Sequence, residues 1–310
     1  MEKILVTGGS GLVGKAIHNI VGNNSIYHFT NSRETDLYQY ESCRKLFEKL
    51  QPTKVIHLAA NVGGLFKNMN NKVDMLEKNL IINYNIVKCC HDFGVKKLIS
   101  CLSTCIFPDK TTYPINEEML HNGEPHSSND AYAYSKRMME IHCKSYREQY
   151  GDNFMCIIPT NIYGSHDNFN LNDSHVIPGL IHKCYLAKKN NTDFLVSGTG
   201  KPLRQFIYSN DLAKIIILLL DKLHYNESLI ISPDSTYEIS IGKIAELIAR
   251  EFDYMDKLRY DTTKSDGQYR KTANNTKLKQ LYHNLEFINI ETGIKETIQW
   301  FQKNYNTCRK

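Results

Sequence analysis

The first 160 residues alternate short apolar runs with longer stretches in which apolar positions recur at helical spacing. The runs Ile4-Thr7, Ile26-Phe29, Val55-Ala59, Lys97-Leu102 and Met155-Pro159 predict strands, and helices are predicted between them near 12–22, 39–50, 72–93 and 128–150. Continuous apolar strands separated by helices imply a parallel sheet buried on both faces, because the crossover helices cover it. The pattern changes after Thr160, where Gly, Asn, His and Pro punctuate the chain and fewer apolar runs follow: Phe194-Val196, Gln205-Tyr208, Leu229-Ser232 and Leu258-Tyr260. The run Ile215 to Leu220 is flanked by Asp211, Lys214, Asp221 and Lys222; it is too short to span a bilayer and reads as a buried helix face. Helices from about Ser240 to Phe252 and from Glu291 to Tyr305 close the chain. The expected fold is α/β: a doubly wound parallel sheet over 1–164, to which the chain returns around 194–225, and a smaller α/β domain formed mostly by 165–310.

Composition narrows the class. A chain of 310 residues, 41% hydrophobic and 23% charged, has material for one large domain or two sharing a cleft. The 38 basic and 33 acidic residues leave +5, a mild and scattered excess that argues against nucleic-acid binding and suits an anionic small ligand. The nine cysteines have no framework spacing, and the N-terminus enters a strand where a signal peptide would carry its apolar core. Reduced thiols in a cytoplasmic protein without a membrane anchor are expected. No His or Cys pair has metal-ligand spacing, so no metal is expected.

Candidate chemistry begins at residue 8. Gly8-Gly9-Ser10-Gly11-Leu12-Val13-Gly14 follows the first strand and opens the first helix, the setting of a dinucleotide-binding loop of Rossmann type. Gly8 allows the turn, Gly11 lets a pyrophosphate approach the backbone, and Gly14 lets helix and strand pack closely, with the phosphates at the positive end of the helix dipole. After the second strand, Arg33 stands where a carboxylate would select NAD, which favours NADP. Asp36-Leu37 could reach the adenine, and Leu58-Ala59-Ala60 would lie under the cofactor. Tyr132 and Lys136 form Tyr-x-x-x-Lys, an i, i+4 pair that shares one helix face. A lysine ammonium there would lower the phenol pKa toward neutrality for acid–base work. Ser103 sits just past the fourth strand, at the carboxyl edge where open parallel sheets bind ligands.

This constellation resembles the extended short-chain dehydrogenase/reductase superfamily. More specific blocks are Val62-Gly63-Gly64-Leu65, Leu102 to Pro108, Pro159 to Gly164, His166 to Asn170, His175 to Leu180 and Lys264 to Gly267. Their order and spacing resemble the GDP-L-fucose synthase family, the GDP-4-keto-6-deoxymannose 3,5-epimerase-4-reductases, over essentially the whole chain. The resemblance implies that Tyr132 protonates the C4 oxygen, Lys136 tunes Tyr132 and holds the nicotinamide ribose, and Ser103 hydrogen-bonds the ketone. It gives Cys105 and His175 as epimerisation base and acid, and a thiol and an imidazole both titrate near neutrality. By the same resemblance Pro159, Asn161 and Ile162 border NADP(H), while Thr104, Asn161, Lys183, Arg204 and Lys271 contact the nucleotide sugar. Ser197 stands where some relatives carry tryptophan, so base stacking from that position is missing. The family also implies a homodimer built on the 72–93 and 128–150 helices. Two other readings are an epimerase-reductase acting on another 4-keto-6-deoxy nucleotide sugar, such as a UDP sugar yielding a rhamnose, and an inactive NADP-binding regulator.

Overall fold

The apolar runs of the first half become neighbouring strands of one sheet. A computed structural model describes residues 2–264, 266 and 268–310. In it β1 (Ile4–Thr7), β2 (Tyr27–Thr30), β3 (Lys54–His57), β4 (Lys97–Cys101) and β5 (Phe154–Pro159) are connected through α1 (Leu12–Val21), α2 (Tyr40–Leu50), α3 (Leu65–Asn70), α4 (Lys72–Asp92) and α5 (Asp130–Tyr150). The second half contributes β6 (Asn161–Tyr163), α6 (Val176–Asn190), β7 (Phe194–Ser197), β8 (Leu203–Arg204), β9 (Phe206–Tyr208), α7 (Ser209–Leu220) and β10 (Leu229–Ile231). It ends with β11 (Ile239–Ser240), α8 (Ile241–Glu251), β12 (Leu258–Asp261), α9 (Thr276–Leu281) and α10 (Ile290–Lys303).

The main sheet runs β10-β5-β4-β3-β1-β2, every pair parallel. Successive residues of β1, β3, β4 and β5 enter opposite cores, which is why these strands are largely apolar, while edge strand β2 is only partly buried. Ile4, Val6, Ile56 and Ile99 pack with α1 and α7, while Leu5, Val55 and Leu98 pack with α2, α4 and α5. A third core, including Ile181, Phe194, Ile248 and Phe301, joins α6, α8 and α10 to β7. Each large side chain buried there contributes on the order of 2–3 kcal/mol. Strand order reverses between β1 and β3, and the connections leaving their carboxyl ends part there to open a crevice.

Two expectations change. Phe194–Ser197 does not join the main sheet: β7 pairs with β12, with Leu195 and Ser197 turned outward. The chain returns through α7, inside the expected 194–225, and then through β10, which is buried throughout and paired with β5. A one-sided strand suits a surface ladder, and only a strand apolar on both faces fits the covered sheet. Helix α6 was hidden by Pro178 and Gly179. Both lie in its first turn, where a missing N–H costs no helical bond. A Cβ at Gly179 would come within 2.7 Å of Ser174 Oγ. Among the described residues no helix is long and apolar enough to cross a membrane.

Candidate active site

The loop after β1 is shaped by its neighbours. Gly8 has φ +72°, and a Cβ there would lie 2.8 Å from Ala59 N, so Leu58-Ala59-Ala60 runs directly against the loop. At Gly14 a Cβ would lie 2.5 Å from Gly8 O, so any side chain would push α1 off β1. A Cβ at Gly11 would meet only Gly8 O, at 3.2 Å, which leaves the helix N-terminus open for an anion. Ser10 is exposed beside it. Gly9 N donates to Thr30 O at 2.9 Å, fixing the end of β2 next to this loop. The turn that follows, with Arg33 N donating to Asn31 Oδ1 at 2.9 Å, leaves the Arg33 side chain exposed. Asp36 is spent on Tyr38 N and Leu37 is buried, its carbonyl accepting from Asn85 Nδ2 at 2.9 Å.

Beneath the loop, His57 bridges Thr7 and α4. Its Nδ1 lies 2.8 Å from Thr7 Oγ1 and its Nε2 3.1 Å from Asn83 Oδ1. Burial, aided by the charge of Lys136, pushes the His57 pKa down to about 3, so the ring is neutral. Since the Asn83 oxygen can only accept, Nε2 carries the proton and Nδ1 accepts from the threonine hydroxyl.

At the carboxyl end of β4 the chain turns sharply through Thr104–Ile106, with the Ser103 hydroxyl accepting from Cys105 N at 3.4 Å. Arg137 Nε braces that turn by donating to Ile106 O at 2.6 Å. One residue earlier on α5, Lys136 Nζ donates to Cys101 O at 2.9 Å and lies 5.8 Å from the centre of the Tyr132 ring. Ser103, Thr104, Cys105, Tyr132 and Lys136 therefore meet at one strand edge. Burial, then the Cys105 and Cys101 sulfurs, hold its phenol well above the usual tyrosine range, while Lys136, close to the ring, gives one of its protons to the Cys101 carbonyl. The Lys136 pKa is itself lowered by burial. Cys105 is buried and its thiol is pushed up by that burial, against the pull of Lys271, the Ser103 hydrogen bond and Lys136.

His175 arrives on a separate element. It precedes α6, with its carbonyl accepting from Gly179 N at 3.0 Å and its side chain exposed. Gly64 N donates to Asp173 O at 2.7 Å, and a Cβ at Gly64 would lie 2.4 Å from Ser174 O. The Val62-Gly63-Gly64 loop after β3 thus holds the loop that precedes His175, although no hydrogen bond joins the imidazole to Cys105 or Tyr132 among the described residues. The expected nucleotide contacts are scattered. Asn161 Nδ2 donates to Gln205 O at 2.9 Å, and Arg204 is committed to the carbonyls of Leu203 and Gln268, both at 2.7 Å. Lys183 lines a cavity of about 380 Å³ with Leu171, Leu195, Ser197 and Asp261. No group of three or more His, Cys, Asp or Glu suited to a metal occurs among the described residues.

Residues 4–231 match the NAD dependent epimerase/dehydratase family. The GDP-L-fucose synthase of Dictyostelium discoideum is 55% identical over 311 residues, spanning 99% of this chain and 97% of its own. The chain belongs to the GDP-L-fucose synthase family. The probable GDP-L-fucose synthase of Drosophila melanogaster is 45% identical, with both chains fully spanned. The crystal structure of a GDP-L-fucose synthetase from Naegleria fowleri bound to NADP superimposes with a TM-score of 0.92 at 50% identity, covering 100% of this chain and 95% of that one.

In this member of the GDP-L-fucose synthase family, several residues that hold the site were not singled out by sequence. Gln205, buried, accepts from Ala273 N at 2.7 Å and donates to Pro233 O at 2.9 Å. Its partners lie far away in the chain, so no local pattern announces it. Arg137 follows Lys136 directly, and its position one residue past the Tyr-x-x-x-Lys pair was the only available signal. Ser265 and Gly267 of the Lys264 to Gly267 block lie outside the described residues.

Proposed function

We propose that the chain is an NADPH-dependent 3,5-epimerase and 4-reductase that converts GDP-4-keto-6-deoxymannose to GDP-L-fucose. The observation that carries this reading is the meeting of Ser103, Cys105, Tyr132 and Lys136 around one turn at the carboxyl edge of β4, in a chain with full-length kinship to GDP-L-fucose synthases. A ketone at C4 acidifies the C–H bonds at C3 and C5. In our reading Cys105 removes a proton from such a carbon to leave an enolate, and His175 returns one to the opposite face. Ser103 hydrogen-bonds the ketone oxygen, and Tyr132 protonates it as the carbonyl is reduced. The hydride for C4 comes from bound NADPH. Lys136, anchored on Cys101 O, holds the Tyr132 helix face against β4 and offers its remaining protons to the ribose.

For the cofactor, the open Gly11 helix end, the close-packed Ala59 and the exposed Arg33 fit a dinucleotide carrying a 2′-phosphate. Arg33→Ala is accordingly expected to weaken NADPH binding about tenfold or more while leaving NADH binding within about twofold, as titrations of both would measure. Equal losses for the two would remove Arg33 from this role. For the sugar nucleotide, Asn161, Thr104, Lys183, Arg204 and Lys271 are the proposed contacts. The cavity beside Lys183 and Ser197 is the proposed seat of the base. Residues 1–164, with α7 and β10, would form the cofactor domain and most of 165–310 the substrate domain. The exposed Val73, Ile81 and Tyr84 on α4 and Tyr134, Met138 and Ile141 on α5 lie at helical spacing on two packed helices, which supports a homodimer through that face. Sedimentation as a monomer would remove that inference. The nine free thiols suit a reducing compartment, and we infer a cytoplasmic enzyme, which cell fractionation tests.

Incubation of the purified protein with GDP-4-keto-6-deoxymannose and NADPH should oxidise the cofactor and yield GDP-L-fucose. A folded protein that leaves NADPH unoxidised, or that turns over the corresponding UDP sugar faster, would overturn the reading.

A further inference from the structure

The cavity of about 380 Å³ beside Lys183 opens where α6 meets the two-stranded ladder of β7 and β12, and its size suits a small ligand. Lys183, Leu186 and Asn190 line it, and their i, i+3, i+7 spacing makes them one face of α6. Another wall is the outward face of the ladder. Phe194 and Val196 turn into the core, which leaves Leu195 and Ser197 on the cavity side. The parallel register sets Asp261 of β12 opposite Ser197, on the same face. One cavity therefore carries a cation on its helix wall, a carboxylate on its ladder wall and apolar surface from Leu186 and Leu195.

The Asp261 carboxylate has a fixed direction. Thr263 N and Thr263 Oγ1 both donate to its Oδ1, at 3.2 and 2.5 Å, and no described residue donates to its Oδ2. Those bonds also hold the carboxyl below the usual aspartate value, so it is ionised at neutral pH. Its backbone is tied across the ladder, with Gly198 N donating to Asp261 O at 2.9 Å. The loops that follow the two strands are fastened together by Asp266, which accepts from Thr199 N at 2.8 Å and from Thr199 Oγ1 at 2.6 Å. Asp193, the other carboxylate on the cavity, is exposed, and no hydrogen bond from a described residue directs it.

We propose that Asp261 determines base specificity: its free Oδ2 accepts from the N1–H and the 2-amino group of guanine. This rests on the reading of the substrate as a GDP sugar whose base sits in this cavity. Guanine presents those two donors side by side, with the O6 and N7 acceptors next to them, and Lys183 supplies a cation suited to the acceptors. Uracil flanks its single N–H with two carbonyls, and adenine has a bare N1 acceptor. Either base would turn a lone pair toward the carboxylate, which rejects it. Reading the edge of the base also suits a cavity in which Ser197 offers no ring for stacking.

The test uses the NADP-bound protein and titrates GDP, IDP and UDP by calorimetry; hypoxanthine, the base of IDP, is guanine without its 2-amino group. Wild type is expected to bind GDP about tenfold or more tighter than IDP, the scale of one charge-assisted hydrogen bond, and UDP more weakly still. Asp261→Ala is expected to weaken GDP about thirtyfold and to bring GDP and IDP within about twofold of each other. Asp261→Asn keeps an oxygen for Thr263 and should narrow the same ratio, so it serves if the alanine protein departs from wild type in circular dichroism or NADP affinity. A carboxylate that only braces the turn at Thr263 would weaken all three nucleotides in parallel. A GDP-to-IDP ratio unchanged in both variants, or a wild type indifferent to the 2-amino group, would overturn the proposal. A wild type that prefers UDP to GDP would remove the GDP-sugar reading and this inference together, whereas one that prefers GDP and keeps its ratio without Asp261 removes this inference alone.

Discussion

Tyr132→Phe is expected to abolish most reduction of the 4-keto sugar, lowering the rate of NADPH oxidation by about 10²–10⁴-fold, while deuterium from solvent should still enter C3 and C5. The substitution removes one oxygen from a half-buried ring, so the fold and α5 stay intact and the loss is chemical. Its size follows from the direction of the Tyr132 shift. Burial and the nearby Cys105 and Cys101 sulfurs hold the phenol well above the usual tyrosine range, so the wild-type group is protonated throughout the neutral region and ready to donate to the developing C4 alkoxide. Reduction by the wild type should therefore show no loss from phenol ionisation as pH rises from 6 to 9. Measured with substrate already epimerised, a fall in rate across that window would mean that the tyrosine ionises and that the acid lies elsewhere. Retention of full reductase activity in Tyr132→Phe would have the same meaning. The exchange readout separates this variant from one that merely fails to bind, since a protein without substrate affinity would lose deuterium incorporation as well.

The parts of this site that sequence made legible are the local ones. Gly8 to Gly14 form one turn between strand and helix, Tyr132 and Lys136 share a helix face, and Ser103 ends a strand, so periodicity alone places all three at the carboxyl edge of the sheet. Four of the five strands of the first half were legible because they are largely apolar on both faces, a pattern imposed by burial between two helix layers, whereas edge strand β2 is only partly buried. The two- and three-residue strands β6, β8, β9 and β11 carry no such pattern, and their pairing is fixed by distant partners. The role of β10 in the main sheet was hidden because three apolar residues do not say which edge they join. In the site, the electrostatic setting was the part least legible. Sequence put a cation beside Tyr132, and the fold keeps Lys136 near that ring while also tying it to Cys101 O, a bond that no local pattern announces. Segment 268–274 is held by long-range bonds to Tyr113, Ile115, Leu203, Arg204 and Gln205, none of which periodicity predicts.

Cys105→Ser is expected to eliminate deuterium incorporation at C3 and C5, to below about one hundredth of the wild-type rate, and with it the formation of GDP-L-fucose. The exchange of sulfur for oxygen is nearly isosteric, and the serine hydroxyl keeps the turn through Thr104–Ile106 while offering a group that does not ionise in the neutral range. Proton abstraction from carbon needs the ionised form, and Cys105 begins at a disadvantage because burial raises its thiol above the ordinary cysteine value. The sign of the pH dependence follows. With the thiol pKa raised, the thiolate is a minor species at pH 7 and its fraction grows with pH, so the wild-type exchange rate should climb about tenfold per unit on the acid side of that pKa. The two chemical steps therefore respond oppositely to their variants: Tyr132→Phe keeps exchange and loses hydride transfer, whereas Cys105→Ser loses exchange and retains the Ser103, Tyr132 and Lys136 set that reduces a ketone. Offered the 4-keto sugar without epimerisation, the serine variant should oxidise NADPH slowly and give the unepimerised 6-deoxy sugar. If deuterium still enters C3 and C5 at the wild-type rate in Cys105→Ser, the base is another group and Cys105 reverts to a packed thiol in the core.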